Sequence, residues 1–235
     1  MIDAALLPIQ RRALAPLAQA LAARGIRADQ ITVAGFAIGL AAVPALAAGR
    51  PGLALVFILA NRLLDGLDGA VARLTRPTAR GAFLDIALDF AFYALVPLGF
   101  ALHDPAADAL PAAVLVAAFV GTGSSFLAFA VIAAQKGMTA EAYPSKGVYY
   151  LGGLTEGAET IALFTAMCLM PQHFAAFAYA FAVACLVTTV SRWRMGWTAF
   201  GVDAEYPGAD HRVAEKSATM RNAAALETSD VVTTP

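Results

Sequence analysis

Apolar residues run along most of this chain in long blocks, and polar residues gather between them. Six blocks approach the roughly 20 residues that cross a bilayer as a helix. They are 31–49, 52–72, 82–103, 109–134, 148–170 and 173–192. Turn signals divide them: Gly49-Arg50-Pro51-Gly52 lies between the first two, and Pro105, Pro144 and Pro171 punctuate later junctions. Asp29 stands where it can cap the first helix. Ala and Gly are frequent within the blocks, which lets helices pack closely in lipid. Ahead of them, Leu7, Leu14, Leu17 and Leu21 recur at helical spacing, with Arg11 and Arg12 elsewhere. Residues 9–23 therefore read as an interfacial amphipathic helix, with a short packing helix as the alternative. Residues 201–235 are polar and aperiodic and read as a disordered tail. The pattern predicts an all-α membrane protein: six transmembrane helices in one domain, 1–200, and a tail, 201–235.

Composition supports this class. Of 235 residues, 60% are hydrophobic and 14% charged, and the mean hydropathy is +0.68. Soluble domains are nearer half apolar and a quarter charged. The net charge of −1 provides no basic field for nucleic acid. No apolar core ending in a cleavage site follows Arg11 and Arg12, so the start of the chain is not read as a secretory signal. Cys168 and Cys185 fall in apolar stretches without metal-ligand spacing and read as small buried hydrophobes.

Basic residues set an orientation. Arg11, Arg12, Arg24 and Arg27 precede the first span, and Arg73, Arg76 and Arg80 separate the second from the third. Lys136 and Lys146 follow the fourth, and Arg192, Arg194, Arg212, Lys216 and Arg221 end the sixth or follow it. The opposite side holds only Arg50. This bias predicts a multi-pass protein of the inner (cytoplasmic) membrane, with both termini inside and the loop 101–108 outside.

Four aspartates break the apolar pattern. The stretch reads Asp65-x-x-Asp68-Gly69-x-x-Ala72-Arg73, then seven residues, then Gly81-x-x-x-Asp85-x-x-x-Asp89. Spacings of three and four put each pair on one helix face, with Cβ atoms about 5–6 Å apart. Carboxylates inside apolar segments are costly and point to function. Four together need a positive partner, and hard oxygen donors suit magnesium, manganese or calcium. Depth agrees. Asp65 and Asp89 each lie 14 residues from the outer end of their span, or about 21 Å at helical rise. Asp68 and Asp85 lie about 26 Å deep by the same rise. The four carboxylates thus reach two matching levels near the cytoplasmic edge, where a lipid phosphate and a cytosolic nucleotide can meet. Gly69 and Gly81 leave room for a ligand against the backbone. Arg73, one turn beyond Gly69, is placed to meet a phosphate, whereas Arg76 and Arg80 read as topological charges.

The stretch resembles the signature of the CDP-alcohol phosphatidyltransferases, integral membrane enzymes of phospholipid headgroup synthesis. Asp65, Asp68, Gly69, Ala72, Arg73, Gly81, Asp85 and Asp89 carry the resemblance, with seven residues between its halves. In span number and order it extends over about 30–192. The resemblance implies that Asp65, Asp68, Asp85 and Asp89 bind Mg2+ or Mn2+, as two ions. Asp89 would also be the general base. Gly69, Ala72, Arg73 and Gly81 would form the nucleotide site. The donor implied is CDP-diacylglycerol, or another CDP-alcohol, the partners are an acceptor alcohol and membrane lipids, and the product is CMP. A homodimer is implied by the family alone.

Lys146, Glu156 and Arg192 are candidates for the acceptor site. Glu156 and Glu159 lie one turn apart in the fifth block, and Glu156 is 14 residues from Met170, about 21 Å from the outside. A second reading stays open, in which Glu156 pairs with Arg62 or Arg192 to neutralise charge. Arg62 itself reads as a carboxylate partner. His103, His173 and His211 do not cluster, Trp193 and Trp197 read as interface anchors, and Ser124 and Ser125 lack a His/Asp pattern. The competing class is a divalent-cation channel or transporter, but the outer halves of the second and third spans, Leu53–Ala60 and Phe90–Leu102, are nearly apolar.

Overall fold

The computed structural model describes residues 2–136 and 153–201, with side chains from residue 10 onward. Lys146, and the tail expected at 201–235 except for Gly201, lie outside the described residues. Every regular element among the described residues is helical. In chain order they are α1 (Ile2–Ala23), α2 (Ala28–Leu40), α3 (Ala42–Ala47), α4 (Pro51–Leu74), α5 (Ala79–His103), α6 (Pro105–Gln135), α7 (Gly157–Leu169) and α8 (Phe174–Ala199). A 3-10 turn, Pro171–His173, precedes α8.

Helix ends follow local chemistry. Gly25 and Gly49 have φ of +75° and +69°. Each stands just past a helix, where a left-handed residue lets two amides turn back onto the last carbonyls. After α3, Gly49 N donates to Leu46 O at 2.8 Å and Arg50 N to Ala45 O at 2.9 Å. Pro51 then opens α4, where its missing N–H is no loss. The cap of α2 differs from expectation. Arg27, not Asp29, is the N-cap residue, and Gln30 Oε1 accepts from its amide at 3.0 Å. Asp29 falls in the first turn and accepts instead from Arg80 Nε at 2.8 Å.

Four helical stretches among the described residues are long and apolar enough to cross a membrane: Ala28–Ala47, Ala79–His103, Pro105–Gln135 and Pro171–Ala199. The first of these, α2 with α3, packs on both α4 and α5. Helix α4 has 24 residues, but Arg62, Asp65, Asp68 and Arg73 interrupt its apolar run. The helix expected over 148–170 is shorter among the described residues. It starts at Gly157 and runs 13 residues, a rise of about 20 Å. The preceding Leu154 and Thr155 amides donate to Thr188 Oγ1 at 3.1 and 3.3 Å, so this backbone finds partners outside a helix.

The main unit comprises the described residues up to 127 and 153–193. Its core joins α3 to α8 through Leu46, Ile58, Phe92, Leu115, Phe164 and Phe174, with Phe100 stacked on Phe174 at 4.5 Å. A second cluster packs α1 on α4: Leu14 and Ala18 are buried with Leu67, Ala70 and Val71, while Leu17 is exposed. In the smaller unit, within 128–136 and 194–201, the rings of Phe129 and Phe200 lie 4.7 Å apart.

Small residues bring α2 close to α4. A methyl group at Gly35 would stand 2.9 Å from Leu64 Cβ, and one at Gly39 would stand 3.0 Å from Asn61 Cβ. Both neighbours are fixed to the α4 backbone, so the helices would have to part. We expect Gly35→Ala to destabilise the protein by about 1–3 kcal/mol, read as a lower thermal midpoint in detergent micelles. An unchanged midpoint would mean that α2 is free to shift on α4.

Candidate functional site

The hairpin of α4 and α5 supplies the carboxylates. Its connection is only residues 75–78. Pro77 disfavours helical backbone at Arg76 and so ends α4. Thr78 caps α5, its Oγ1 accepting from Gly81 N at 3.0 Å. The tight connection returns the chain antiparallel, α2 packs on both helices, and the aspartates of α4 and α5 face each other across a cleft.

Asp65, Asp68 and Asp85 each present one carboxylate oxygen within 4.8 Å of the others. Opposite ligands of a six-coordinate Mg2+ are about 4.2 Å apart, and those of Ca2+ about 5 Å. Three hard oxygens at this separation fit an oxygen-preferring dication. Asp68 is buried and Asp85 exposed, so the group opens on one side. Thr32 on α2 holds Asp68 in place: its Oγ1 donates to Asp68 Oδ2 at 2.5 Å.

Asp89 lines the same cleft but stands outside this group of three. Arg62 holds it. Nη1 donates to Asp89 Oδ2 at 3.4 Å, and Nη2 donates to Oδ1. The same guanidinium lies 3.3 Å from Asp65 Oδ2 and donates to the Tyr93 hydroxyl at 3.3 Å. Its Nε donates to Asn61 Oδ1 at 3.1 Å, and Asn61 Nδ2 donates to Gly35 O at 3.1 Å. Arg62 is therefore a carboxylate partner, of Asp65 and Asp89.

The other signature residues frame the opening. Ala72 is half-buried on α4. Arg73 folds back one turn, with Nη1 3.2 Å from where a Gly69 side chain would begin. The space beside Gly81 is met by Asp29 Oδ1 at 3.0 Å and Thr78 Oγ1 at 3.2 Å.

The acceptor candidates separate. Glu156 and Arg192 line a second cavity of about 130 Å³, with Tyr93, Thr155 and Thr160 among its walls. Arg192 is buried, and its Nη1 donates to Thr122 O at 3.0 Å. Glu156, however, is not within a helix one turn from Glu159, because α7 begins after it. It is the N-cap residue, and Glu159 Oε2 accepts from its amide at 3.2 Å. The depth expected from a continuous helix does not apply to it. Lys146 lies outside the described residues.

Thr32 and Tyr93 were not singled out in the sequence. A lone Thr in an apolar helix usually bonds its own preceding turn, and Ala28 O does lie 3.1 Å from Thr32 Oγ1, but the hydroxyl's single proton goes to the nearer Asp68. Only the fold brings Asp68 to it.

Residues 26–193 match the family model described as CDP-alcohol phosphatidyltransferase. The chain is 52% identical over 197 residues to inner membrane protein YnjF of Escherichia coli (strain K12), covering 84% of this chain and 96% of that protein. It is 42% identical over 83 residues to an archaetidylinositol phosphate synthase of Methanothermobacter thermautotrophicus, covering 35% of this chain and 41% of that protein. Among solved structures, the fold is similar to Mycobacterium tuberculosis phosphatidylinositol phosphate synthase (PgsA1) with CDP-DAG bound. The TM-score is 0.61 at 24% identity, over 80% of this chain and 94% of that one. The same enzyme in complex with manganese and citrate aligns with a TM-score of 0.60 at 24% identity, over 79% and 89%.

Proposed function

Since this chain belongs to the CDP-alcohol phosphatidyltransferase family, we propose that it moves a phosphatidyl group from CDP-diacylglycerol to an acceptor alcohol and releases CMP. The observation that carries this reading is the group Asp65, Asp68 and Asp85 in a cleft also lined by Asp89. The likeness to a fold that holds CDP-DAG in one structure and manganese in another supports it.

Asp65, Asp68, Asp85 and Asp89 would hold the divalent cations, two of Mg2+ or Mn2+, which when bound would supply Lewis-acid stabilisation of the diphosphate and of the leaving oxygen. Gly69, Ala72 and Gly81 border the nucleotide, and Arg73 supplies a fork of donors to its phosphates. Asp89 takes the proton from the acceptor hydroxyl. The hydroxyl oxygen then bonds to the phosphorus that bears the diacylglycerol, and the bond from that phosphorus to the CMP oxygen breaks. A positioned base contributes about 10²–10⁴-fold to such a step. Arg62 aims Asp89, and a carboxylate has lone pairs beyond those the guanidinium engages.

We place the acceptor in the cavity of Glu156 and Arg192, and keep Lys146, outside the described residues, as a further acceptor-binding candidate. Six helices span an inner membrane, including the charged α4 and the segment of α7. Both termini and the active site face the cytoplasm, α1 lies at the interface, and residues 201–235 form a cytoplasmic tail. The protein acts as a homodimer.

The test is release of CMP from labelled CDP-diacylglycerol by the purified protein in lipid vesicles with Mn2+. Acceptor alcohols are screened: glycerol 3-phosphate, inositol compounds and serine. Acceptor-dependent CMP release is expected with one of these classes. Absence of release with every CDP-alcohol and acceptor tried would overturn the reading.

A further inference from the structure

Arg62 pairs with two of the four aspartates, Asp65 and Asp89. We propose that it is the positioning residue of Asp89 and stands in for a second metal ion while the donor is absent. The free enzyme then takes one dication, on Asp65, Asp68 and Asp85, and the second enters only with the donor's diphosphate. This inference rests on the phosphatidyltransferase reading above.

Geometry makes the clamp firm. Both terminal nitrogens of Arg62 reach both oxygens of Asp89, a fork that a planar guanidinium presents already organised. Its Nε is tied through Asn61 to the α2 backbone at Gly35. Its carbon lies 5.8 Å from the Phe92 ring and 5.6 Å from the Tyr93 ring, so aromatic faces back the charge. The Arg62 side chain is 16% exposed. A charge so enclosed keeps its partner.

Charge balance then orders the events. Three carboxylates and one dication leave a single negative charge, and Asp89 is already neutralised by Arg62. A second dication arriving alone would sit beside a fixed guanidinium and make the cleft positive. One arriving with a doubly ionised diphosphate adds no net charge. Desolvated sites penalise the first case far more than the second.

The test counts bound Mn2+ by electron paramagnetic resonance in detergent micelles. Wild type should bind one ion alone and two with CDP-diacylglycerol, acceptor omitted. Arg62→Gln should bind two ions without donor, the second at least about tenfold tighter than in wild type, a change of about 1.4 kcal/mol. Arg62→Lys, which keeps the charge, should stay at one. Arg62→Gln combined with Asp89→Asn should return to one, because the freed carboxylate is then gone. Two ions on donor-free wild type would overturn the inference without requiring any variant to fold. So would a folded Arg62→Gln that binds one. Wild type that binds none under either condition would instead overturn the metal-dependent reading on which the inference stands.

Discussion

Asp68→Asn is expected to remove CMP release by about 10³-fold or more, since metal stabilisation of a transferring phosphoryl group amounts to several kcal/mol and each 1.36 kcal/mol is tenfold in rate. Asp68 is the most enclosed of the three grouped carboxylates, at 5% exposed. Its Oδ2 accepts from Thr32, which fixes the carboxylate's orientation in the group. An amide in its place can turn either an oxygen or an N–H toward the ion, and it removes a unit of charge in both cases. Asp65→Asn and Asp85→Asn should fall in the same way, Asp85 least because water reaches it. Affinity for the CDP-alcohol should drop with activity in Asp68→Asn if, as proposed, the diphosphate is held through the cations. The measurements are single-turnover CMP release and donor affinity at saturating Mn2+. Full activity of wild type in excess EDTA would sink the metal-dependent mechanism outright.

Asp89→Asn is expected to separate binding from chemistry. The amide oxygen can still face an ion or Arg62, but it cannot take a proton from an alcohol. Donor affinity should therefore stay within a few-fold, while turnover falls by about 10²–10⁴, the usual contribution of a placed base. The structure motivates the contrast with Asp68. Asp89 stands apart from the grouped oxygens and is held by Arg62 rather than by Thr32. Near-normal turnover would mean that Asp89 is not the base. If donor binding fell equally in Asp68→Asn and Asp89→Asn, all four aspartates would form one metal cage.

Much of this was legible because charge inside an apolar run is conspicuous. Asp65, Asp68, Asp85 and Asp89 stood out for that reason, and the short α4–α5 connection made their meeting a matter of helix geometry. The ends of α4, α5 and α6 lay within a few residues of those expected, and Pro51 and Pro105 mark two of the starts. Residues before α7 were misjudged for a physical reason. An apolar, glycine-containing run fits a helix by composition, but the amides of Leu154 and Thr155 bond to Thr188, 34 and 33 residues away. Asp29 looked like a cap, yet Arg80 claims it across 51 residues. Arg62 was readable as a carboxylate partner but not as the clamp of Asp89, which depends on the two helices lying in register. Each miss involved a polar group whose partner is distant in sequence and close in space.

The three grouped carboxylates span only 20 residues of chain, Asp65 to Asp85, across a connection of four. Contacts this local close quickly, because little chain must be ordered to make them. Ordering this hairpin therefore brings the three carboxylates together at little cost in chain entropy. The second cavity, by contrast, draws its walls from α5, α6, α7 and α8 and rests on contacts between residues far apart in the chain.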